Sequence, residues 1–188
     1  LQNTLNSIKS IYPLKEVHLN LLLKELKEVG LPKGHLIIRA GKVERALYFI
    51  ENGVARAYVD GKDNRITFWF GMEGDIILSY HSYINNTPGY ESIELLENCR
   101  LYELKTEALE ALYNTHTELA NWGRKLAELI LIKTEESYIG RLFKPAKERY
   151  IDLLQTDPLL IQRIPLGHIA SYLGVTQVTL SRIRAEIK

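Results

Sequence analysis

The side chains best suited to chemistry cluster at the C-terminal end. Gln177, Thr179, Ser181, Arg182 and Arg184 lie close together, and no acidic residue occurs between Thr176 and Ala185. Amides, hydroxyls and guanidinium groups pair with base edges and phosphate oxygens, and Val178 beside them suits a thymine methyl. Arg182 can reach guanine O6 and N7 together, whereas Arg184, Lys188 and Arg163 are better placed for phosphates, which position a protein without specifying sequence. The preceding residues supply the scaffold such a face needs. Counting Leu166 as the first position, Ile169 is the fourth, Ala170 the fifth, Leu173 the eighth and Gly174 the ninth. Val175 is then the tenth, Leu180 the fifteenth and Ile183 the eighteenth. That is the pattern of a helix-turn-helix. Two helices crossing steeply need a small residue at the crossing, which Ala170 provides. The turn needs a left-handed backbone position, which Gly174 adopts without strain. Ile169, Leu173, Val175, Leu180 and Ile183 face inward, and the Thr176 hydroxyl can cap the second helix.

The alternative for this stretch is a helical hairpin with a merely solvated polar face. Charge argues against it. Residues 144–188 carry seven basic side chains (Lys144, Lys147, Arg149, Arg163, Arg182, Arg184 and Lys188) against four acidic ones (Glu148, Asp152, Asp157 and Glu186), while the chain as a whole has a net charge of only +1. A basic end on a slightly acidic body fits a polyanion-binding module, here for double-stranded DNA, joined to something else.

Other chemistry is thin. The single Cys99 excludes an internal disulfide, a four-cysteine iron–sulfur cluster and any cysteine-rich zinc module. One unpaired thiol fits a reducing cytoplasm. His35 and His81 are isolated and no His-x-His occurs, so a cupin-like enzyme lacks its ligand set. No catalytic residue, metal or cofactor is expected. With 188 residues, 46% of them hydrophobic and 25% charged, the composition is that of a globular protein of one large or two small domains. No apolar run approaches the ~20 residues of a membrane span, and no secretory signal opens the chain. Leu1 in place of Met is what a trimmed N-terminus would leave. The expected location is the cytoplasm.

The elements that must position the basic end can be read from periodicity. Leu5, Ile8 and Ile11 suggest a short helix before Pro13, and Leu14, Val17, Leu21, Leu22 and Leu26 recur at helical spacing after it. From Leu36 to Leu104 short segments rich in β-branched and aromatic residues alternate with turn signals: 36–39, 47–50, 54–59, 65–70, 76–78, 92–96 and 99–104. Many short strands at close spacing predict an antiparallel roll, with Asp60-Gly61 as a hairpin tip. Thr106 is expected to cap a short helix through Leu112. His116–Phe143 then predicts one long helix of ~42 Å. Its stripe of Leu119, Trp122, Leu126 and Leu129, widened by Ile130 and Ile132, suits a core, and part of it suits packing against a twin helix in a homodimer. Pro145 opens a further helical pattern that ends before Asp157-Pro158.

The layout resembles the Crp/Fnr family of bacterial transcription regulators from about Leu14 onward. Gly41, the apolar strand Leu47–Ile50 and Gly53 keep the spacing of that family's roll, and the stretch from Phe70 to Asp75 looks like the lead-in to its phosphate-binding cassette. The resemblance implies an α+β protein in three parts. Residues 1–115 form a cyclic-nucleotide-binding-like β-roll (a double-stranded β-helix) with N-terminal helices, 116–143 a dimerisation helix, and 144–188 a winged helix-turn-helix. A wing is expected around Leu159–Ile164. The resemblance also implies a homodimer on a pseudo-palindromic operator, RNA polymerase as a partner, base contact by Arg182, and a small-molecule effector.

The departures from that family bear on the effector. Where cyclic-AMP-binding members have Gly-Glu-Leu after the Gly-Asp, this chain has Ile76, Ile77, Leu78, Ser79 and Tyr80. The family's phosphate-binding Arg-Ser falls near Glu91-Ser92, which puts a carboxylate where the cation should be. Leu129 and Ile130 stand where hydroxyl residues contact adenine. These differences argue against a cyclic nucleotide, and the lone Cys99 against an iron–sulfur sensor. Trp69, Tyr80, Tyr83 and Tyr90 surround the cassette and either line a pocket or simply fill the roll. In the second case the protein is a ligand-independent DNA-binding dimer with the roll as scaffold.

Overall fold

The computed structural model describes residues 1–62 and 64–187. Two helices, α1 (Gln2–Ile11) and α2 (Glu16–Lys24), precede the strands β1 (Lys27–Leu31), β2 (Leu36–Ile38), β3 (Ala46–Asn52), β4 (Ala55–Asp60), β5 (Arg65–Gly71) and β6 (Ile76–Ile77). A short helix α3 (Tyr80–Asn85) leads to β7 (Ser92–Leu95) and β8 (Cys99–Lys105). The rest is helical: α4 (Thr106–Thr115), α5 (Thr117–Phe143), α6 (Ala146–Thr156), α7 (Pro158–Arg163), α8 (Leu166–Leu173) and α9 (Gln177–Ile187).

The strands form two four-stranded antiparallel sheets, ordered β1-β8-β3-β6 and β2-β7-β4-β5, which is the expected α+β roll. Ile37, Ile38, Ile50, Ala55, Ala57, Ile77, Ile93, Leu95 and Leu101 meet between them as a dry core. The outer faces are covered too, which explains why the central strands read as nearly continuous apolar runs. On β3, Ile50 faces the roll interior, whereas Leu47 and Phe49 face outward into a second core with Ile8, Leu22, Leu109, Leu119 and Trp122 from the surrounding helices. Gly53 follows β3 at φ +119, where a Cβ would lie 2.3 Å from Cys99 Sγ and 3.1 Å from its Cα. Both the dihedral and the close approach demand glycine there.

A third core joins the C-terminal helices to the roll. Val54 and Leu96 pack with Tyr150, Leu160, Ile164, Ile169, Leu173, Leu180 and Ile183. Helix α8 lies along β5, so the outer face of the second sheet is covered by the helix-turn-helix.

Several expectations need correction. Strand β1 lies in a stretch assigned no strand from sequence: Lys27 and Glu28 are exposed on an edge strand that pairs only with β8, so little apolar alternation marks it. The wing expected around Leu159–Ile164 is the helix α7, with Pro158 in its first turn, where a missing N–H is harmless. Thr106 is the first residue of α4 rather than its cap, and its hydroxyl donates to the Arg45 carbonyl at 3.2 Å. Leu119 and Trp122, expected at a dimer seam, are fully buried within the chain, and the Trp122 indole N–H donates to the Ile8 carbonyl at 3.0 Å. They serve the core beneath α1 within the chain itself.

Candidate functional site

The turn between α8 and α9 is built as its residue types require. Gly174 closes α8 at φ +65 and ψ 32, the left-handed position for which glycine is suited. Thr176 Oγ1 then accepts the Thr179 backbone N–H at 3.1 Å and caps the start of α9. Ala170 is buried at the crossing, and Ile169, Leu173, Leu180 and Ile183 are buried around it. Gln177, Val178, Thr179, Ser181, Arg182 and Arg184 remain exposed. Among the described residues neither Arg182 nor Arg184 has a hydrogen-bond or ion-pair partner, so both guanidinium groups are available on that face. Lys188 lies outside the described residues.

Arg163 is placed differently. Its guanidinium makes two bonds to Glu73, at 2.8 and 2.9 Å, and two to Glu97, at 2.9 and 2.6 Å. Burial would raise the Glu73 carboxyl, but hydrogen bonds from Arg163 and from the Gly53 N–H outweigh it and hold the group down at about 2. A residue expected at phosphates is, in this conformation, a clamp between α7 and the roll. Nearby, Thr67 N donates to Ser171 Oγ at 2.9 Å, and that hydroxyl donates to the Arg65 carbonyl at 2.8 Å. Arg56 is buried on the outer face of β4, bonded to Thr67 at 2.8 Å and to Glu94 at 2.8 Å, with His168 of α8 at 3.4 Å. Burial first, and then the Arg56 charge, pushes His168 below its ordinary range.

The sequence held a signal for this docking. Arg56, Thr67 and Glu94 are polar residues on the outer face of a sheet whose inner face is apolar. Alternation alone, however, does not distinguish a solvated face from one covered by another polar surface.

A cavity of about 690 Å³ lies between the roll and α5. Of the residues expected around a pocket, Trp69, Leu78, Tyr80, Tyr90, Glu91, Leu129 and Ile130 line it. Ser79 is buried next to it. Tyr83 instead lines a separate cleft with Glu44 and Arg45. Ser92 points its hydroxyl at the Ala40 N–H, 3.2 Å away. Residues not anticipated complete the lining, among them Phe68, Leu126, Thr134, Ser137, Tyr138 and Arg141. Leu126 lies one turn before Leu129 on α5, and Thr134, Ser137, Tyr138 and Arg141 lie about one to three turns beyond it, because the helix runs on past the roll. Burial pushes the Tyr80 phenol up to about 12, which keeps it a neutral donor at ordinary pH. Arg141 donates to the Phe68 carbonyl at 3.1 Å and stacks over Tyr172 of α8, so one side chain touches cavity wall and helix-turn-helix together.

Comparison with known proteins agrees with this geometry. Residues 28–116 match the family of cyclic nucleotide-binding domains. The catabolite activator protein of Thermus thermophilus superposes with a TM-score of 0.61 at 21% identity, over 96% of this chain and 86% of that one. FixK2 of Bradyrhizobium japonicum gives 0.70 at 20% identity, over 86% and 84%. A protein of Eubacterium rectale assigned to the Crp/Fnr regulators gives 0.73 at 17%, over 94% and 87%. The chain has the fold of the Crp/Fnr regulators. At these identities the likeness is one of fold, from the roll through the long helix to the helix-turn-helix. No curated protein matches the chain by sequence. Among the described residues no group of three or more His, Cys, Asp or Glu side chains is arranged to hold a metal ion, and no helix is long and apolar enough to cross a membrane.

Proposed function

We propose that this Crp/Fnr-fold chain is a cytoplasmic, sequence-specific DNA-binding regulator that acts as a homodimer, and that the cavity of its roll binds a small molecule other than a cyclic nucleotide. The observation that carries the reading is the exposed face of α9, where Gln177, Thr179, Ser181, Arg182 and Arg184 stand on a capped helix whose one acid, Glu186, is paired with Lys147. Arg182 is assigned to bases and Arg184 to phosphates.

The dimer is assigned to the outer half of α5. Leu131 and Tyr138, and Ile132 and Ile139, are pairs seven residues apart, and all four are exposed, as are Leu142 and Phe143. A heptad of exposed apolar residues on a helix of about 40 Å suits pairing with the same helix of a second copy. Two recognition helices would then address sites ~34 Å apart on one face of the duplex.

Arg141 gives the cavity a route to the DNA-binding helices. A ligand that moves Phe68 or Arg141 alters the support of Tyr172, and with it the seat of α8 on β5. Fluorescence anisotropy with labelled duplex DNA across salt concentration tests the reading. The reading expects affinity to fall steeply as salt rises, with two chains bound per duplex. No binding at low salt, with or without small molecules, would refute it.

A further inference from the structure

The cavity has one polar pole that the protein leaves unpaired. Glu91 is 6% exposed and lines the cavity, and among the described residues its Oε2 has no hydrogen-bond partner. Ser79 is 1% exposed beside it, and its Oγ is likewise unpartnered. Both oxygens converge on Gly89. A Cβ at that position would lie 2.5 Å from Ser79 Oγ and 2.8 Å from Glu91 Oε2. Glycine thus lets the buried acid and the buried hydroxyl pack closely against the backbone there. Buried polar atoms are ordinarily paired, and an unpaired carboxylate oxygen is among the costliest to leave so.

The surroundings define what pairs with it. Trp69, Tyr80, Tyr90 and Tyr138 present aromatic surface to the same space, and ring faces attract cations. Ile93, Leu126 and Leu129 give it an apolar wall. Two basic side chains of α5 reach the cavity, but Arg141 is bound to the Phe68 carbonyl and stacked on Tyr172, and Lys133 lies in the field of Asp75. Neither pairs with Glu91.

From the unpaired Glu91 pole and the aromatic lining we infer that this cavity takes a small organic cation: a primary ammonium that donates to Glu91, attached to an aromatic or aliphatic body that fills the apolar part. The inference rests on the reading of the roll as a sensor and names its ligand class. An ammonium meets the acid and the aromatic rings at once, whereas a phosphate ester would set its anion against Glu91.

Calorimetric titration of the full chain, without DNA, tests this with tryptamine and indolepropionate, which carry the same ring but an ammonium in one and a carboxylate in the other. Cyclic AMP serves as the phosphate control. Tryptamine is expected to bind at least about tenfold more tightly than either anion, and Glu91→Gln to lose about tenfold or more of that affinity. Equal or tighter binding of indolepropionate or cyclic AMP would overturn the inference. So would the absence of tryptamine binding, or tryptamine binding indifferent to Glu91→Gln. If Glu91→Gln fails to fold, the comparison of ligands on the unaltered chain still decides. Because no DNA is present, failure here leaves the regulator reading standing, and failure of DNA binding leaves this result standing.

Discussion

Arg182 projects from the exposed face of α9 with no partner among the described residues, so its removal disturbs nothing within the chain. Arg182→Ala should therefore leave the melting temperature unchanged while weakening binding to the preferred site by ~1–3 kcal/mol and relaxing sequence preference at one position of each half-site. Equal losses on preferred and random duplexes would show that the residue holds phosphate instead. The outward placement of Arg182 was legible in sequence, because the spacing that turns Leu180 and Ile183 inward leaves Arg182 on the opposite face. Arg163 was not legible in the same way. Its charge suggested phosphate, but the carboxylates that hold it, Glu73 and Glu97, come from distant turns of the roll that no local pattern connects to α7. The pocket shows the same limit. The substitution of an acid at Glu91 was visible in the sequence, whereas its unpaired Oε2 and its close approach to Gly89 emerge only when the chain is folded.

The docking of α8 on β5 has a pH dependence that its groups dictate. His168 faces Arg56, Arg65 and Glu94, and its value is lowered in the docked state from the ordinary 6.5. A base with a depressed value favours docking while neutral, so this contribution is intact above about pH 6.5 and declines as pH falls below it. Glu73 works at lower pH. Its carboxyl, held at about 2 against an ordinary 4.5, stabilises the clamp fully above 4.5 and loses that contribution as pH falls toward 2. Thermal unfolding between pH 8 and 3 should thus weaken in two stages. His168→Gln is expected to remove the first and Glu73→Gln to diminish the second, which Glu51, also held at about 2, shares. A melting temperature flat between pH 7 and 5 in the unaltered chain would contradict the His168 assignment. Most elements behind this interface were legible, because β-branched runs and turn residues mark strands whichever face is buried. Strand β1 was hidden by the charges an edge strand tolerates, and α7 lies where the family layout suggested a wing.

At the scale of the molecule, the long helix divides its labour. Its first half, with Leu119 and Trp122, closes the core beneath α1; its middle and outer turns wall the cavity; and its outer half also carries exposed apolar pairs. Helical periodicity marked an apolar stripe on α5, but it does not say whether the same chain or a second copy covers each stretch. Replacing Ile139 by Asp puts a charge in the proposed seam without touching the roll core. Ile139→Asp should give a folded monomer by sedimentation, with affinity for a two-half-site duplex reduced to that of a single half-site; an unchanged dimer would place the seam elsewhere. Selection of bound duplexes from a random library tests the central claim most directly. The regulator reading predicts an enriched two-fold-symmetric motif whose half-sites are centred about one helical turn, ~34 Å, apart. Salt-sensitive binding with no enriched motif, with and without tryptamine present, would contradict it.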